Sequence, residues 1–297
     1  MVGSRAAPVI IEAAINGATP RAANPHVPRT PAEIAEDALR CLEAGAAVVH
    51  NHNDDPVIGG SGRHATEPYA EAWRAILARR PDALLYPTMA GGGAHTHVEE
   101  RYRHVVELAE AGLLGLGLVD PGSTNLGGAD EEGLPRPVDA VYQNTYRDAR
   151  HMIETCARLR VGVSVSTFEP GFLRVILAYH RAGRLPRGTF VKLYFGARPL
   201  SFGLPPTVPS LEAYLAMLEG TGLPWLVSAL GGDVVGCGLA RAALERGGHV
   251  QVGLEPFAGP RTPTNVELVE EAKALVAAVG RPLATCADAA RILDLPR

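Results

Sequence analysis

The chain has 297 residues, 46% of them apolar and 20% charged, with a formal net charge of −4. That composition is of an ordinary globular protein with a large core. The lack of any long basic run argues against nucleic acid or an anionic membrane as partner. Cys41, Cys156, Cys237 and Cys286 are scattered without CxxC spacing and read as buried free thiols in a reducing compartment. The run from Val9 to Ala18 is only superficially like a signal core, since Glu12 interrupts it and Arg5 alone precedes it. No apolar stretch approaches the length of a membrane span, so a cytoplasmic protein is expected.

In chain order, Val9 to Asn16 predicts a first strand ending at Gly17, and Pro20, Pro25, Pro28 and Pro31 punctuate the loop after it. Thr30-Pro31-Ala32-Glu33 predicts a helix start, with Thr30 as N-cap, Pro31 at N1 and Glu33 closing a capping box. Ile34, Ala38, Cys41 and Leu42 follow at helical spacing, and Gly45 stops the helix. A second strand begins directly at Ala46. The unit then recurs. Further helices are expected over 67–80, 98–111, 144–160, 172–182, from Ser210, over 235–246, and from Thr264, where Thr264-Asn265-Val266-Glu267 is another capping box. Further strands are expected over 83–89, 116–120, 162–168, 189–195, 225–230 and 249–254. A polar, Gly-rich insertion (125–138) and a Pro-rich loop (198–209) interrupt the pattern, and Cys286 opens a last helix. Eight strands alternating with eight helices argue for an α/β fold of parallel βα units. Closure into one (β/α)8 TIM barrel over residues 1–297 is the simplest arrangement, with an open doubly wound sheet as the alternative.

The stretch richest in chemistry is AAVVHNHNDD, Ala46 to Asp55. Side chains i and i+2 of a strand share a face, so His50 and His52 point together at its carboxyl end, where such a barrel keeps its active site. Two neutral imidazoles converging on one point suit a zinc-class metal that takes a third ligand from elsewhere. Glu255 ends the last strand. In a closed barrel that strand and the second both flank the first, so this carboxylate can complete a His-His-Glu site with a position left open. His95-Thr96-His97 has the same spacing but sits at a helix start and reads as surface residues.

Other polar residues fall at strand ends. Thr88 can donate a hydrogen bond to a substrate oxygen or serve only as a turn hydroxyl. Asp120 before Pro121, and Glu169 in Glu169-Pro170-Gly171, suit either chemistry or turns, and Ser123 follows Asp120 closely. Lys192 lies within the sixth strand, where an inward charge would be functional. Glu12 shares a face with Ala14 and Asn16; inside a barrel it could act as a base or pair with an internal cation such as Lys192. Gly91-Gly92-Gly93 leaves room for a phosphate or thioester beside the backbone.

The segments INGATPRAANPHVPRTPAEIAEDALRCLEAGAAVVHNHNDD, PDALLYPTMAGGG, HVQVGLE and AVGRPLATCADAARIL resemble the β-keto acid cleavage family nearly end to end, most specifically in TPAEIA followed by VVHNH. The resemblance implies a zinc-dependent (β/α)8 barrel that condenses a β-keto acid with acetyl-CoA, releasing acetoacetate and a new acyl-CoA; the family's best-known activity is 3-keto-5-aminohexanoate cleavage. It also implies His50, His52 and Glu255 as the Zn2+ ligands, and a homo-oligomer, dimer or tetramer. The family's last strand typically reads R-x-G-x-E-D, its Arg and Asp taking part in catalysis; here those positions hold Gln251 and Pro256. The G-x-G-R-W pattern after the seventh strand is replaced by Ala229-Leu230-Gly231-Gly232-Asp233. The Glu that meets a substrate amino group is Thr19, a Thr near the end of the fourth strand is Leu118, and a Ser ending the third is Thr88. Glu12, Asp120, Glu169 and Asp233 are then the candidates to replace the missing base. Two other readings stand beside this one. One is a metal-dependent hydrolase or lyase without CoA, although the better-known H-x-H hydrolase barrels want His on the fifth and sixth strands, which contain none here. The other is a non-catalytic metal-binding protein that senses a keto acid.

Overall fold

Short apolar runs bounded by glycine, proline and capping residues form the strands, and the amphipathic stretches between them return the chain to the strands' starting end. The computed structural model describes residues 7–93 and 95–296. Its strands are β1 (Ile11–Ala14), β2 (Val48–Asn51), β3 (Leu84–Pro87), β4 (Leu116–Val119), β5 (Thr124–Asn125), β6 (Val141–Tyr142), β7 (Gly162–Thr167), β8 (Thr189–Gly196), β9 (Trp225–Leu230) and β10 (His249–Val252). Its helices are α1 (Pro31–Ala44), α2 (Glu67–Arg79), α3 (Val98–Arg101), α4 (Arg103–Glu110), α5 (Tyr146–Leu159), α6 (Pro170–Arg181), α7 (Val208–Leu218), α8 (Leu239–Glu245), α9 (Asn265–Ala278) and α10 (Cys286–Ile292). None of the described helices is long and apolar enough to cross a membrane.

Eight strands make one parallel sheet in the order β3-β2-β1-β10-β9-β8-β7-β4. β3 and β4 lie side by side without a ladder between them, so the sheet curls into a nearly closed (β/α)8 barrel rather than an open doubly wound sheet. β1 pairs with β10 on one side and β2 on the other, setting Ala13 opposite Val252 and Ala14 opposite His50; His50 is in turn opposite Tyr86 of β3. The apolar core, including Ile34, Trp73, Ile76, Ile176, Leu211 and Val269, packs between sheet and helices. The inside of the barrel is different: Glu12, Ser164, Lys192, Ser228 and Gln251 are all buried, where branched apolar side chains are the usual filling.

The capping boxes expected at Thr30 and Thr264 are present, and Thr145 with Asp148 and Thr285 with Asp288 add two more. Three helices start or break away from where the sequence places them. The helix expected over 98–111 breaks at Tyr102, whose hydroxyl donates to the Leu118 carbonyl at 2.6 Å. α7 starts at Val208 because Thr207, not Ser210, is the N-cap. α8 starts at Leu239 rather than Val235. The Asp233 carboxylate accepts from the Val235 and Gly236 amides at 3.0 and 2.8 Å, and Gly238 has φ +83°, so 233–238 is a turn. Cys237 lies in that turn and is exposed, while the other three free cysteines are buried as expected. Within the polar insertion, β5 and β6 form a small antiparallel hairpin.

α1 and α9 pack beside β1, and their contact holds one strained charge. Asn265 Nδ2 donates to Asp37 Oδ2 at 2.6 Å, yet burial pushes the Asp37 carboxyl up to about 6. An acid whose folded value is raised keeps its proton longer in the folded than in the unfolded state, so its contribution to stability falls as pH climbs from near 4 through 6, then levels off. Asp37→Asn is expected to gain stability over the parent across that window, by about 1–3 kcal/mol between its ends. Urea unfolding at pH 4, 6 and 8 tests it; a stability difference that stays constant with pH would refute it.

Candidate active site

The apolar stem of β2 delivers two histidines at the carboxyl end of the barrel. Asn16 then fixes the second. Its Oδ1 accepts from the His52 amide at 2.8 Å and its Nδ2 donates to the His52 carbonyl at 3.0 Å. His50 stacks on Tyr86, ring centroids 4.4 Å apart at 22°, with Nδ1 3.2 Å from the Tyr86 carbonyl. Donation from Nδ1 to that carbonyl leaves Nε2 as the lone pair facing the barrel mouth.

Glu255 arrives from the other side of β1. Its amide donates to the Ala14 carbonyl at 3.1 Å. Asn265, the first residue of α9, accepts from the Leu254 amide at 2.8 Å and donates to the Ile15 carbonyl at 2.7 Å. Gly17, with φ +53°, runs so close that a Cβ there would overlap the Glu255 side chain. The carboxylate therefore swings over β1 until Oε2 lies 3.2 Å from His50 Nε2 and 3.6 Å from His52 Nε2. The candidate ligand atoms of His50, His52 and Glu255 all lie within 4.8 Å of one another. His52 Nε2 and Glu255 Oε2 are buried and have no hydrogen-bond partner, a costly state that an ion would relieve. Burial pushes His52 towards the neutral imidazole. Burial would also raise the Glu255 carboxyl, but the two imidazoles outweigh it and hold the group well below the usual carboxylate range. Neutral imidazole and ionised carboxylate are the forms that bind metal, so these residues fit one.

The cluster opens on a cavity of about 830 Å3 at the carboxyl ends of the strands, lined also by Arg29, Tyr86, Thr88, Asp120, Ser166 and Lys192. Of the other expected residues, Thr88 lines the cavity, its side chain making no hydrogen bond among the described residues. Asp120 does too. Tyr142, brought in by β6, donates to its Oδ2, while its buried Oδ1 has no partner. Glu12 lies beneath the cavity, wholly buried, accepting from Tyr86 and from Gln251 (2.6 Å), with Lys192 Nζ 3.8 Å away. Glu169 is turned elsewhere, bracing the Thr124 hydroxyl at 3.1 Å and the Gly203 amide at 2.9 Å. Asp233 is held by its own turn and by Arg261 at 3.4 Å. Neither of these two carboxylates lines the cavity. Ser123 exchanges hydrogen bonds with the Asn144 backbone, and His95 and His97 are exposed. The amides of Gly91, Gly92 and Gly93 are taken by Val57, Gln143 and Thr96, which leaves none for a phosphate. The Thr19 hydroxyl is engaged with the Leu254 carbonyl at 2.7 Å.

The sequence reading passed over Tyr86, Tyr142, Phe168 and Tyr194, all of which line the cavity. Two-residue periodicity could have found two of them: Tyr86 shares a face with Thr88, and Tyr194 with Lys192. Tyr142 depends on an insertion with no such pattern.

Two imidazoles and a carboxylate at the carboxyl end of a parallel barrel, over a deep polar-floored cavity, define a (β/α)8 enzyme with a candidate metal centre. The family model described as beta-keto acid cleavage enzyme matches residues 8–295, and the chain belongs to that family. It is 27% identical over 302 residues to a 3-keto-5-aminohexanoate cleavage enzyme of Fusobacterium nucleatum, covering 97% of this chain and 98% of that one. It is 28% identical over 313 residues to a 3-dehydrocarnitine:acetyl-CoA trimethylamine transferase of Rhizobium meliloti, covering 97% of each. It is also 27% identical to a 3-oxoadipate:acetyl-CoA acetyltransferase of Cupriavidus necator, covering 97% of this chain and 95% of the relative. Among solved structures, the apo form of ObcA shares the fold with a TM-score of 0.71 at 18% identity; the match takes in 92% of this chain and 66% of that longer one.

His50→Ala and Glu255→Ala are expected to abolish stable metal binding, and Gly17→Ala to weaken it roughly 10- to 100-fold by displacing the carboxylate. Metal content by plasma mass spectrometry after dialysis, with circular dichroism to confirm folding, reads this out. A folded Gly17→Ala variant with undiminished metal affinity would contradict the geometry.

Proposed function

We propose that this chain condenses a β-keto acid with acetyl-CoA, releasing acetoacetate and the acyl-CoA of the remaining fragment, with Zn2+ held by His50, His52 and Glu255. One observation carries the reading. In a chain matched by the family from residue 8 to 295, three ligating side chains converge with two buried, unpartnered ligand atoms facing a cavity. A nitrogen–oxygen donor set with an open position suits zinc, which would supply a Lewis acid to the keto acid's oxygens.

The rest falls to the chain's own side chains. The reaction needs a base for the acidic carbon between the two carbonyl groups, and of the four candidate carboxylates the position of Asp120 supports that role best. Glu169 and Asp233 are committed outside the cavity, and Glu12 lies under it. Asp120 alone of the four lines the cavity, with Oδ1 free to take the proton while Tyr142 holds Oδ2. Thr88 supplies a hydroxyl donor for a substrate oxygen. A cavity of about 830 Å3 is large enough for a keto acid together with the acyl end of a CoA thioester. β7 and β8 bring Ser166, Lys192 and Tyr194 to the cavity and no histidine, which disfavours the hydrolase reading.

The test is turnover of zinc-loaded protein with acetyl-CoA and the keto acids of the relatives' names (3-keto-5-aminohexanoate, 3-dehydrocarnitine, 3-oxoadipate and 3,5-dioxohexanoate). Simple alkyl β-keto acids complete the panel, and acetoacetate is detected by mass spectrometry. Acetoacetate is expected from the parent and not from His50→Ala. Asp120→Asn is expected to keep its metal while kcat falls by about 10²–10⁴. An Asp120→Asn variant with parental kcat would remove Asp120 as the base, and absence of acetoacetate across the panel would remove the condensation.

A further inference from the structure

The floor of the cavity holds a charge whose bonding is incomplete. Lys192 is 1% exposed yet lines the cavity. Its ammonium has three N–H donors. One is taken by the Tyr86 hydroxyl at 2.7 Å. Tyr86 spends its own proton on Glu12 while accepting from Lys192, so it is a relay between the two and not a counter-ion. Glu12 Oε1 stands 3.8 Å from Nζ, beyond hydrogen-bonding distance, because Gln251 and Tyr86 already fill that oxygen. The ring faces of Tyr86 and Tyr194, with centroids 4.7 and 5.3 Å from Nζ, flank the ammonium without accepting its protons in line. Among the described residues, two N–H groups of a buried cation thus have no acceptor, and the free space beside them is the substrate cavity.

The position of this cation matters as much as its bonding. Tyr86, whose hydroxyl Lys192 grips, is the residue stacked on the candidate metal ligand His50. One tyrosine ring links the two, 4.4 Å from the imidazole and 4.7 Å from the ammonium, and all three residues line the same cavity. A β-keto acid has two features to place there, a carbonyl oxygen and a carboxylate one carbon away. We infer that Lys192 is a substrate-binding residue, its ammonium taking the carboxylate of the keto acid with the two N–H donors the protein leaves unfilled. Glu12, Tyr86 and Gln251 then act as its cradle: they hold the ammonium in place and balance its charge when the cavity is empty. This selects substrates that carry the acid group next to the reacting ketone.

The inference rests on the keto acid reading of the same cavity, and its test omits acetyl-CoA, so failure of the condensation and failure of this assignment read out separately. Binding of acetoacetate and of acetylacetone, its counterpart with a methyl ketone in place of the carboxylate, is measured by calorimetry on zinc-loaded protein. Lys192→Met should weaken acetoacetate by roughly 10- to 100-fold and leave acetylacetone within about twofold of the parent. Because Lys192→Met strands a buried carboxylate, the paired variant Glu12→Gln/Lys192→Met, which removes both charges, is measured alongside and should show the same selective loss. Equal weakening of both ligands would make Lys192 a packing residue, and unchanged acetoacetate binding would place the carboxylate elsewhere; either result overturns the assignment. A mass increase after borohydride treatment with acetoacetate would also overturn it, since it would mark Lys192 as an imine-forming amine.

Discussion

The site depends on the pairing of the first strand with both the second and the last. β1 is only four residues long, but its register determines where every candidate metal ligand lands. The Ile15 amide binds the His50 carbonyl at 3.0 Å on one side, and the Ala14 carbonyl binds the Glu255 amide at 3.1 Å on the other. Histidines from residue 50 and a carboxylate from residue 255 meet because one short strand holds both backbones within hydrogen-bonding distance. Asn16 and Gly17, just past its end, finish the work in opposite ways. Asn16 fills space, clamping the His52 backbone with its amide. Gly17 leaves space, since any side chain there would collide with Glu255. A one-residue slip of β1 would turn Asn16 away and present a different face to both neighbours.

Burying charge under such a site is costly, and the fold limits the cost by keeping the charges in contact. Glu12, Lys192, Tyr86, Tyr194 and Gln251 form one connected set inside the barrel, where an isolated ion would be strongly disfavoured. Burial raises the Tyr194 phenol, as it does Tyr86, so both remain neutral and the formal charges reduce to one carboxylate and one ammonium. The set is not closed: Glu12 Oε2 and Gln251 Oε1 are also buried without partners. A network of this kind holds its members in one geometry more than it stabilises the fold, which suits a floor that must present a cation at a fixed place.

Much of this was legible in the sequence, and the reasons are physical. Strand positions followed from apolar runs cut by glycine and proline, and the capping boxes at Thr30 and Thr264 fixed two helix starts to the residue. His50 and His52 could be placed because two-residue spacing at the end of a strand has one geometric meaning, and Glu255 because a barrel closes. Asp233 shows where such reading stops. Its position at the end of β9 looked suited to chemistry, but its carboxylate satisfies two amides of the turn that delays α8, and local spacing does not say which use prevails. Glu169 illustrates the same ambiguity, resolved by a hairpin and a loop distant in sequence. Tyr142 enters the cavity from an irregular insertion, where no periodicity exists to be read. The pairing of Glu12 with Lys192 was open to sequence reasoning as an alternative to a free base, and the barrel interior brings the two to 3.8 Å.

The order of strands also explains how the chain can lack an arginine and an aspartate on its last strand and still have charged groups to offer a substrate. Around the barrel, β7 stands opposite β1, with β4 and β8 on either side of it. The candidate metal ligands therefore occupy the wall centred on β1, while Asp120 follows β4 and Lys192 rises from β8 on the far wall. Gln251 on β10 and Pro256 after it put no charge beside the candidate ligand Glu255; Gln251 instead turns its amide to Glu12 and Tyr194. With the Asp120 carboxylate and the Lys192 ammonium on one wall and the candidate ligands on the other, a substrate bound as proposed would be gripped from both sides. A cation on β8 approaches that space from a different direction than one on β10 would, and Leu118, Phe168 and Leu230 add apolar surface to the same cavity. In this arrangement the charges of Asp120 and Lys192 reach the cavity from β4 and β8, while the pairing of β1 with β2 and β10 brings the candidate ligands together.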